Sequence, residues 1–168
     1  MLVLGIDPGL ATTGYGVIRA DGYDQYTCVD YGVIISAAGL PDADRLRVIF
    51  DQLTELIMAH QPEFAAVEKL YFQKNVKTAL SVGQARGVVL LTLAQAGLPI
   101  YEYNPNEVKQ TVCGYGSADK QQVQRMVQTL LHLDTLPKPD DAADALAVAI
   151  CHIHHQSFTD RIHTSPEQ

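Results

Sequence analysis

The spacing of apolar and polar positions changes character several times along the chain. Leu2 to Ile6 is a short apolar run that stops at Asp7 and enters Pro8-Gly9, which predicts a strand running into a turn. A second strand, about Gly14 to Arg19, follows closely enough for an antiparallel hairpin. Asp21-Gly22 marks another turn, and a third strand is expected from about Gln25 to Ile35. Gly39 to Asp44 reads as a loop around Pro41, with Asp42 or Asp44 available to cap the next helix. In that helix Leu46, Ile49, Phe50, Leu53, Leu56 and Ile57 recur at the helical period, ending before Pro62. Phe64 to Glu68 is almost wholly apolar, as expected of a strand buried on both faces. A long helix is predicted from about Val76 to Gln95, closed by Gly97 and Pro99, then a fifth strand from Ile100 to Tyr103. Three further helices are expected, over about Pro105 to Val112, Ala118 to Leu131 and Asp140 to His155. A three-strand antiparallel meander followed by alternating helix and strand predicts an α/β fold, with two parallel strands completing a five-stranded mixed sheet flanked by helices. With no repeat and no linker, one domain over residues 1–156 is expected, followed by a loosely ordered polar tail over 157–168.

Composition narrows the class. At 168 residues the chain can bury one core of ordinary size. No apolar run approaches the ~20 residues that span a bilayer, and Leu2 to Ile6 lacks the basic flank and length of a secretory leader. Cys28, Cys113 and Cys151 are too few and too scattered for a disulfide framework or a zinc site, so a cytoplasmic location with reduced thiols is expected. A net charge of −7 argues against a nucleic-acid partner until its distribution is considered. Eight of the twelve basic residues (Lys69, Lys74, Lys77, Arg86, Lys109, Lys120, Arg125, Lys138) lie between 69 and 138. Only Glu102, Glu107, Asp119 and Asp134 oppose them, so this segment carries +4. The asymmetry permits DNA binding, though an unevenly charged solvated surface would look the same.

Candidate chemistry rests on carboxylates. Asp7 and Glu68 each end an apolar strand, where a charge is costly unless solvated, paired or bound to a metal. If the two strands are neighbours, the carboxylates repel each other. Downstream, Pro139-Asp140-Asp141-Ala142-Ala143-Asp144 suits a helix N-terminus, where negative charge meets the positive end of the dipole. Asp140 reads as the N-cap. Asp141 and Asp144 share a face at a spacing of three, and Asp140 with Asp144 share one at a spacing of four. The surrounding alanines let that helix lie close to a sheet. Oxygen ligands from several carboxylates suit Mg²⁺ or Mn²⁺ rather than zinc. Two such ions about 4 Å apart support phosphodiester hydrolysis.

The segments Gly5-Ile6-Asp7-Pro8-Gly9, Thr13-Gly14-Tyr15-Gly16, Ala66-Val67-Glu68, Gly83-Gln84-Ala85-Arg86-Gly87, Val108-Lys109-Gln110-Thr111, Gly114-Tyr115-Gly116-Ser117 and Ala142-Ala143-Asp144-Ala145-Leu146-Ala147 resemble, in this order, the RuvC family of bacterial Holliday junction resolvases. The resemblance covers about Leu2 to His155. It implies a ribonuclease H-like fold, a homodimer, and paired Mg²⁺-dependent nicks in two strands of like polarity at a four-way junction. A sequence preference at the cut and cooperation with branch-migration proteins of the RuvA–RuvB type are implied too. Catalytic and metal-binding roles carry over to Asp7, Glu68, Asp141 and Asp144. The family pattern places an acid or histidine three residues before the Ala-Ala-Asp aspartate, which selects Asp141 over Asp140.

The same resemblance marks Lys109 and Lys120 as phosphate contacts, against the plainer reading of solvated helix faces. Tyr71 and Phe72 follow the catalytic glutamate, and an exposed ring there could stack on an unpaired base. The family commonly has phenylalanine at the position of Tyr71. Lys69, Lys74 and Asn75 lie beside these rings, and Arg86 in its motif joins the expected DNA contacts. On the long helix, Ala79, Gly83 and Gly87 form a small-residue stripe, while Leu80, Val82, Val88, Leu90, Leu91 and Leu93 make it apolar on more than one side. Such a helix is expected to be buried both by its own sheet and by a symmetric partner. His152, His154 and His155 are expected only to complement a helix C-terminus. The competing readings are a related nuclease acting on an RNA–DNA hybrid and a junction-binding protein without catalysis. An actin-like kinase needs a longer chain, and Gly114-Tyr115-Gly116-Ser117 lacks the ending of a Walker loop.

Overall fold

A computed structural model describes residues 1–22, 25–70 and 76–164. Strands β1 (Leu2–Asp7), β2 (Thr12–Ala20) and β3 (Tyr26–Ile35) form the antiparallel meander, followed by helix α1 (Asp42–His60). Strand β4 (Phe64–Glu68), helix α2 (Val76–Gln95) and strand β5 (Ile100–Tyr103) come next. Helices α3 (Pro105–Cys113), α4 (Lys120–Leu130) and α5 (Asp140–Thr164) complete the chain's described elements. The sheet runs β3-β2-β1-β4-β5, with β1 parallel to β4 and β4 parallel to β5, so the expected mixed five-stranded sheet forms.

Alternation along the strands builds two cores. Leu4, Ile6, Ala65 and Val67 pack with Ile49, Leu53, Ala85, Val89 and Leu93 beneath α1 and α2. Val3, Ile18 and Ala66 pack with Leu146, Ile150 and Ile153 of α5, and α3 and α4 close that side through Val108, Val112, Val123 and Val127. Asp7 and Glu68 fall on the α5 side by the same period of two.

Several helix ends depart from expectation. Neither Asp42 nor Asp44 caps α1: the Pro41 carbonyl accepts from the Asp44 and Arg45 amides at 3.0 and 3.1 Å, leaving both acids in the first turn. Helix α4 begins later than expected because Asp119 and Gln122 close a reciprocal capping box, with bonds of 2.8 and 2.9 Å. The Pro139 carbonyl accepts from Ala142 and Ala143, so Asp140 lies in the first turn of α5 and is not its cap. Helix α5 runs past His155 to Thr164, and no Gly or Pro interrupts it before Pro166. His152, His154 and His155 therefore sit within the helix, not at its end.

Candidate active site

The end of β1 is the centre of the site. Asp7 lies opposite Gly14 of β2, and its other neighbour is the end of β4, where Glu68 follows the Ile6–Val67 pair. The two carboxylates thus close adjacent parallel strands on the same face of the sheet. Asp7 is held well above the ordinary carboxylate range by burial first, then by the charges of Glu68, Asp144 and Asp141. Glu68 is raised as well, by burial and then by Asp144.

Helix α5 delivers the other two acids, and glycine lets it come close. A Cβ on Gly5 would collide with the backbone of Ala145 and Ala149, and one on Gly14 with the carbonyl of Asp141. With no side chains between helix and strands, the first turn of α5 sits directly over the end of β1. The turn after Asp7 is braced in its turn. The Thr13 hydroxyl donates to the Gly9 carbonyl at 2.7 Å, and the Ser36 hydroxyl donates to the Leu10 carbonyl while accepting from Arg45 Nε at 3.0 Å. Ser36 and Arg45 carry no local sequence signal for this role, because Leu10 and Ser36 lie 26 positions apart.

Asp7, Glu68 and Asp144 line one cavity of about 330 Å³ with Lys109 and Lys120. Pro105, Val108, Val123 and Ala147 form its apolar wall. Lys120 Nζ lies 3.3 Å from Asp144 and 3.7 Å from Asp140, and Asp144 raises its pKa. Asp144 is itself raised by burial, against the opposing pull of Lys120. Asp141 instead lines a second cavity, of about 700 Å³, with Gly9, Thr12, Arg45 and Gln84. Its charge still reaches Asp7.

Other expected site residues fall elsewhere. Lys69 is half-buried, and its amide donates to the Tyr103 carbonyl at 2.8 Å. Arg86 is ion-paired with Glu102 of β5, on the α2 side of the sheet and outside the carboxylate cavity. Tyr71, Phe72, Lys74 and Asn75 lie outside the described residues.

Among the described residues no three His, Cys, Asp or Glu side chains form a ready-made metal cage, and the Lys120 ammonium provides the positive charge beside Asp144. The donor set nonetheless fits a hard divalent cation. It consists of oxygens alone, and Asp7 and Glu68, raised first by burial and then by neighbouring carboxylates, are groups whose ionised forms a cation would stabilise.

The profile of the family described as Crossover junction endodeoxyribonuclease RuvC matches residues 3–152. This chain belongs to the RuvC family. The RuvC protein of Chloroflexus aggregans is 57% identical over 154 residues, covering 92% of this chain and 93% of that one. That of Pelotomaculum thermopropionicum is 52% identical over 158 residues, covering 94% and 96%. Among solved structures, T. thermophilus RuvC in complex with a Holliday junction substrate superimposes with a TM-score of 0.90 at 35% identity, covering 95% of this chain and 96% of that one. RuvC membership makes the chain a crossover junction endodeoxyribonuclease, with the ribonuclease H-like architecture of its solved relatives.

Proposed function

We propose that this chain binds four-way DNA junctions and resolves them by Mg²⁺-dependent hydrolysis at Asp7, Glu68, Asp144 and Asp141. One observation carries the reading: three largely buried acids, with Asp7 raised by burial and by the charges of the other two, share a cavity with two lysines, in a chain whose solved relative holds a Holliday junction. Asp7, on the central strand, would hold the metal together with Glu68 and Asp144, and Asp141 would bind metal or orient the attacking water. When bound, a pair of Mg²⁺ ions, or Mn²⁺ in their place, supplies Lewis acidity toward the phosphoryl oxygens and makes an attacking water more acidic. Lys109 and Lys120 hold phosphates at the rim. The ammonium of Lys120 is also paired with Asp144, at 3.3 Å.

Resolution needs two cuts, and a homodimer supplies two sites. Support comes from α2, whose Leu80, Gln84, Gly87 and Leu91 form an exposed, largely apolar face opposite the buried Ala85, Val89 and Leu93. Symmetric nicks in two strands of like polarity, a cytoplasmic location and cooperation with branch-migration proteins of the RuvA–RuvB type complete the proposal. Among the described residues no helix is long and apolar enough to cross a membrane.

The test is cleavage of a four-way junction, a linear duplex and an RNA–DNA hybrid with and without Mg²⁺. Ligatable, symmetric nicks confined to the junction are expected. Cutting of the hybrid instead would assign the site to the related nuclease class, and binding without cutting would remove catalysis.

A further inference from the structure

Strand β5 is short and lies at the edge of the sheet, yet it determines where two parts of the active site stand. Its last residue, Tyr103, pairs with Glu68, and the Tyr103 carbonyl accepts the Lys69 amide immediately beyond that carboxylate. One residue further on, Asn104 caps α3, which carries Lys109 into the cavity. An edge strand of four residues has few ladder bonds to hold it, so its position depends on what grips its faces.

Both faces are gripped. On the α5 side, the Tyr103 hydroxyl and His152 Nδ1 are hydrogen-bonded at 2.8 Å, and the Tyr101 ring centroid lies 4.4 Å from that of His152. On the α2 side, Arg86 is ion-paired with Glu102, whose backbone neighbour in the register is Val67, the residue before Glu68. The Arg86 side chain is only 21% exposed, and Glu102 is 34% exposed. Arg86 lies on the face of the sheet opposite the cavity that Asp7, Glu68 and Asp144 line.

We infer that the Arg86–Glu102 pair is a positioning device for the active site, and that Arg86 serves through β5 and not as a phosphate ligand. The pair ties α2 to the strand that sets the backbone of Glu68 and the start of α3. A displacement of β5 therefore moves a carboxylate and a lysine of the same site together. This inference rests on the assignment of Glu68 to the metal-dependent site.

The experiment compares the full chain with Arg86→Gln, Glu102→Gln and the exchange Arg86→Glu with Glu102→Arg. Each single variant is expected to slow cleavage of saturating junction by about 10- to 100-fold, the range for groups that support a metal ligand. Junction affinity and the slope of its salt dependence should stay at wild-type values, because no phosphate contact is lost. The rise in Tm produced by Mg²⁺ should shrink in both single variants, and the exchange should cut faster than either. Glu102→Gln is nearly isosteric and partly exposed, so it keeps the comparison available should an Arg86 variant misfold. A salt slope lowered by about one in Arg86→Gln but not in Glu102→Gln would make Arg86 a phosphate ligand and overturn the inference. Wild-type cleavage rates in both single variants would overturn it too. Failure of the wild-type chain itself to cut junctions would be a failure of the proposed function, which the metal-induced Tm shifts report separately.

Discussion

The first turn of α5 and its middle both bury ionisable side chains, but on opposite terms. At the N-terminal end, Asp141 and Asp144 are brought toward Asp7 and Glu68, where burial first and like charges second hold Asp7 and Glu68 above the ordinary carboxylate range. Two turns further on, His152 is fully enclosed by Phe64, Tyr101 and Tyr103, and the Tyr103 hydroxyl meets its Nδ1. Burial, with a smaller contribution from His155, pushes His152 down to about 4, so it stays neutral. One end of the helix keeps an electrostatic conflict that a cation could resolve. The middle has removed its conflict by giving up the charge. Burial alone does not mark a functional group; unresolved repulsion at an open cavity does.

The sharpest way to break this comparison is to remove the conflict. Asp7→Asn is expected to reduce junction cleavage by at least about 10³-fold, the scale lost with a key electrostatic group, while raising the thermal stability of the metal-free protein by about 1 kcal/mol as repulsion is relieved. Glu68→Gln, Asp141→Asn and Asp144→Asn should also abolish most cleavage while retaining junction binding. A variant that cuts at a near wild-type rate in a single-turnover assay loses its assigned role.

His152→Ala works in the other region. It leaves a cavity among three rings and strands the Tyr103 hydroxyl, so denaturant unfolding should show a loss of about 2–4 kcal/mol. No gain from Mg²⁺ should compensate it at the histidine.

The two regions should also respond to pH with opposite sign. For the raised Asp7–Glu68 pair, the folded state binds protons more tightly than the unfolded one. Its stabilising contribution is present at acid pH and is lost as pH climbs from the carboxylate range past neutrality. His152 has its folded pKa lowered from 6.5 to about 4. Its contribution is present above about pH 6.5 and falls away as pH drops toward 4. Between about pH 4 and 6.5 the two contributions oppose each other, and above 6.5 the carboxylate decline stands alone, so the Tm of the metal-free protein should fall through neutrality and Mg²⁺ should lift it most there. An equal lift at acid pH would place the cation elsewhere.

The smallest effects belong to the rim. Lys109→Ala and Lys120→Ala should each lower the salt slope of junction binding by about one, measured by fluorescence anisotropy over a salt series. A Lys120 variant with an unchanged slope would confine that lysine to its pairing with Asp144.

Much of the fold is visible in the chain because apolar runs of the right length end in unambiguous turns. Asp7 and Glu68 stand out for the same reason, as carboxylates closing core strands. Asp141 and Asp140 are harder to separate: both spacings put a pair on one helix face, and only the family resemblance selects Asp141, while in the fold Asp140 lies 3.7 Å from Lys120. That Asp141 lines a cavity separate from the one holding Asp7 depends on which side of one turn faces which wall. The pairing of Arg86 with Glu102 is invisible locally, since it joins a helix to a strand across a crossover. A basic residue inside a family motif reads most simply as a DNA contact. The bracing of Leu10 by Ser36 and Arg45 is hidden for the same reason, because tertiary partners leave no trace in local period or propensity.

The contact of α5 with Gly5 and Gly14 bears on tolerance as well as on packing. Where backbone rests on backbone, the gap between two acidic groups is set by atomic radii and cannot be retuned by swapping one core side chain for another. The acidic first turn is therefore seated as on a machined stop, indifferent to small repacking deeper in the core. The same stop leaves no slack, so a single methyl group on either glycine is enough to lift the turn off its seat.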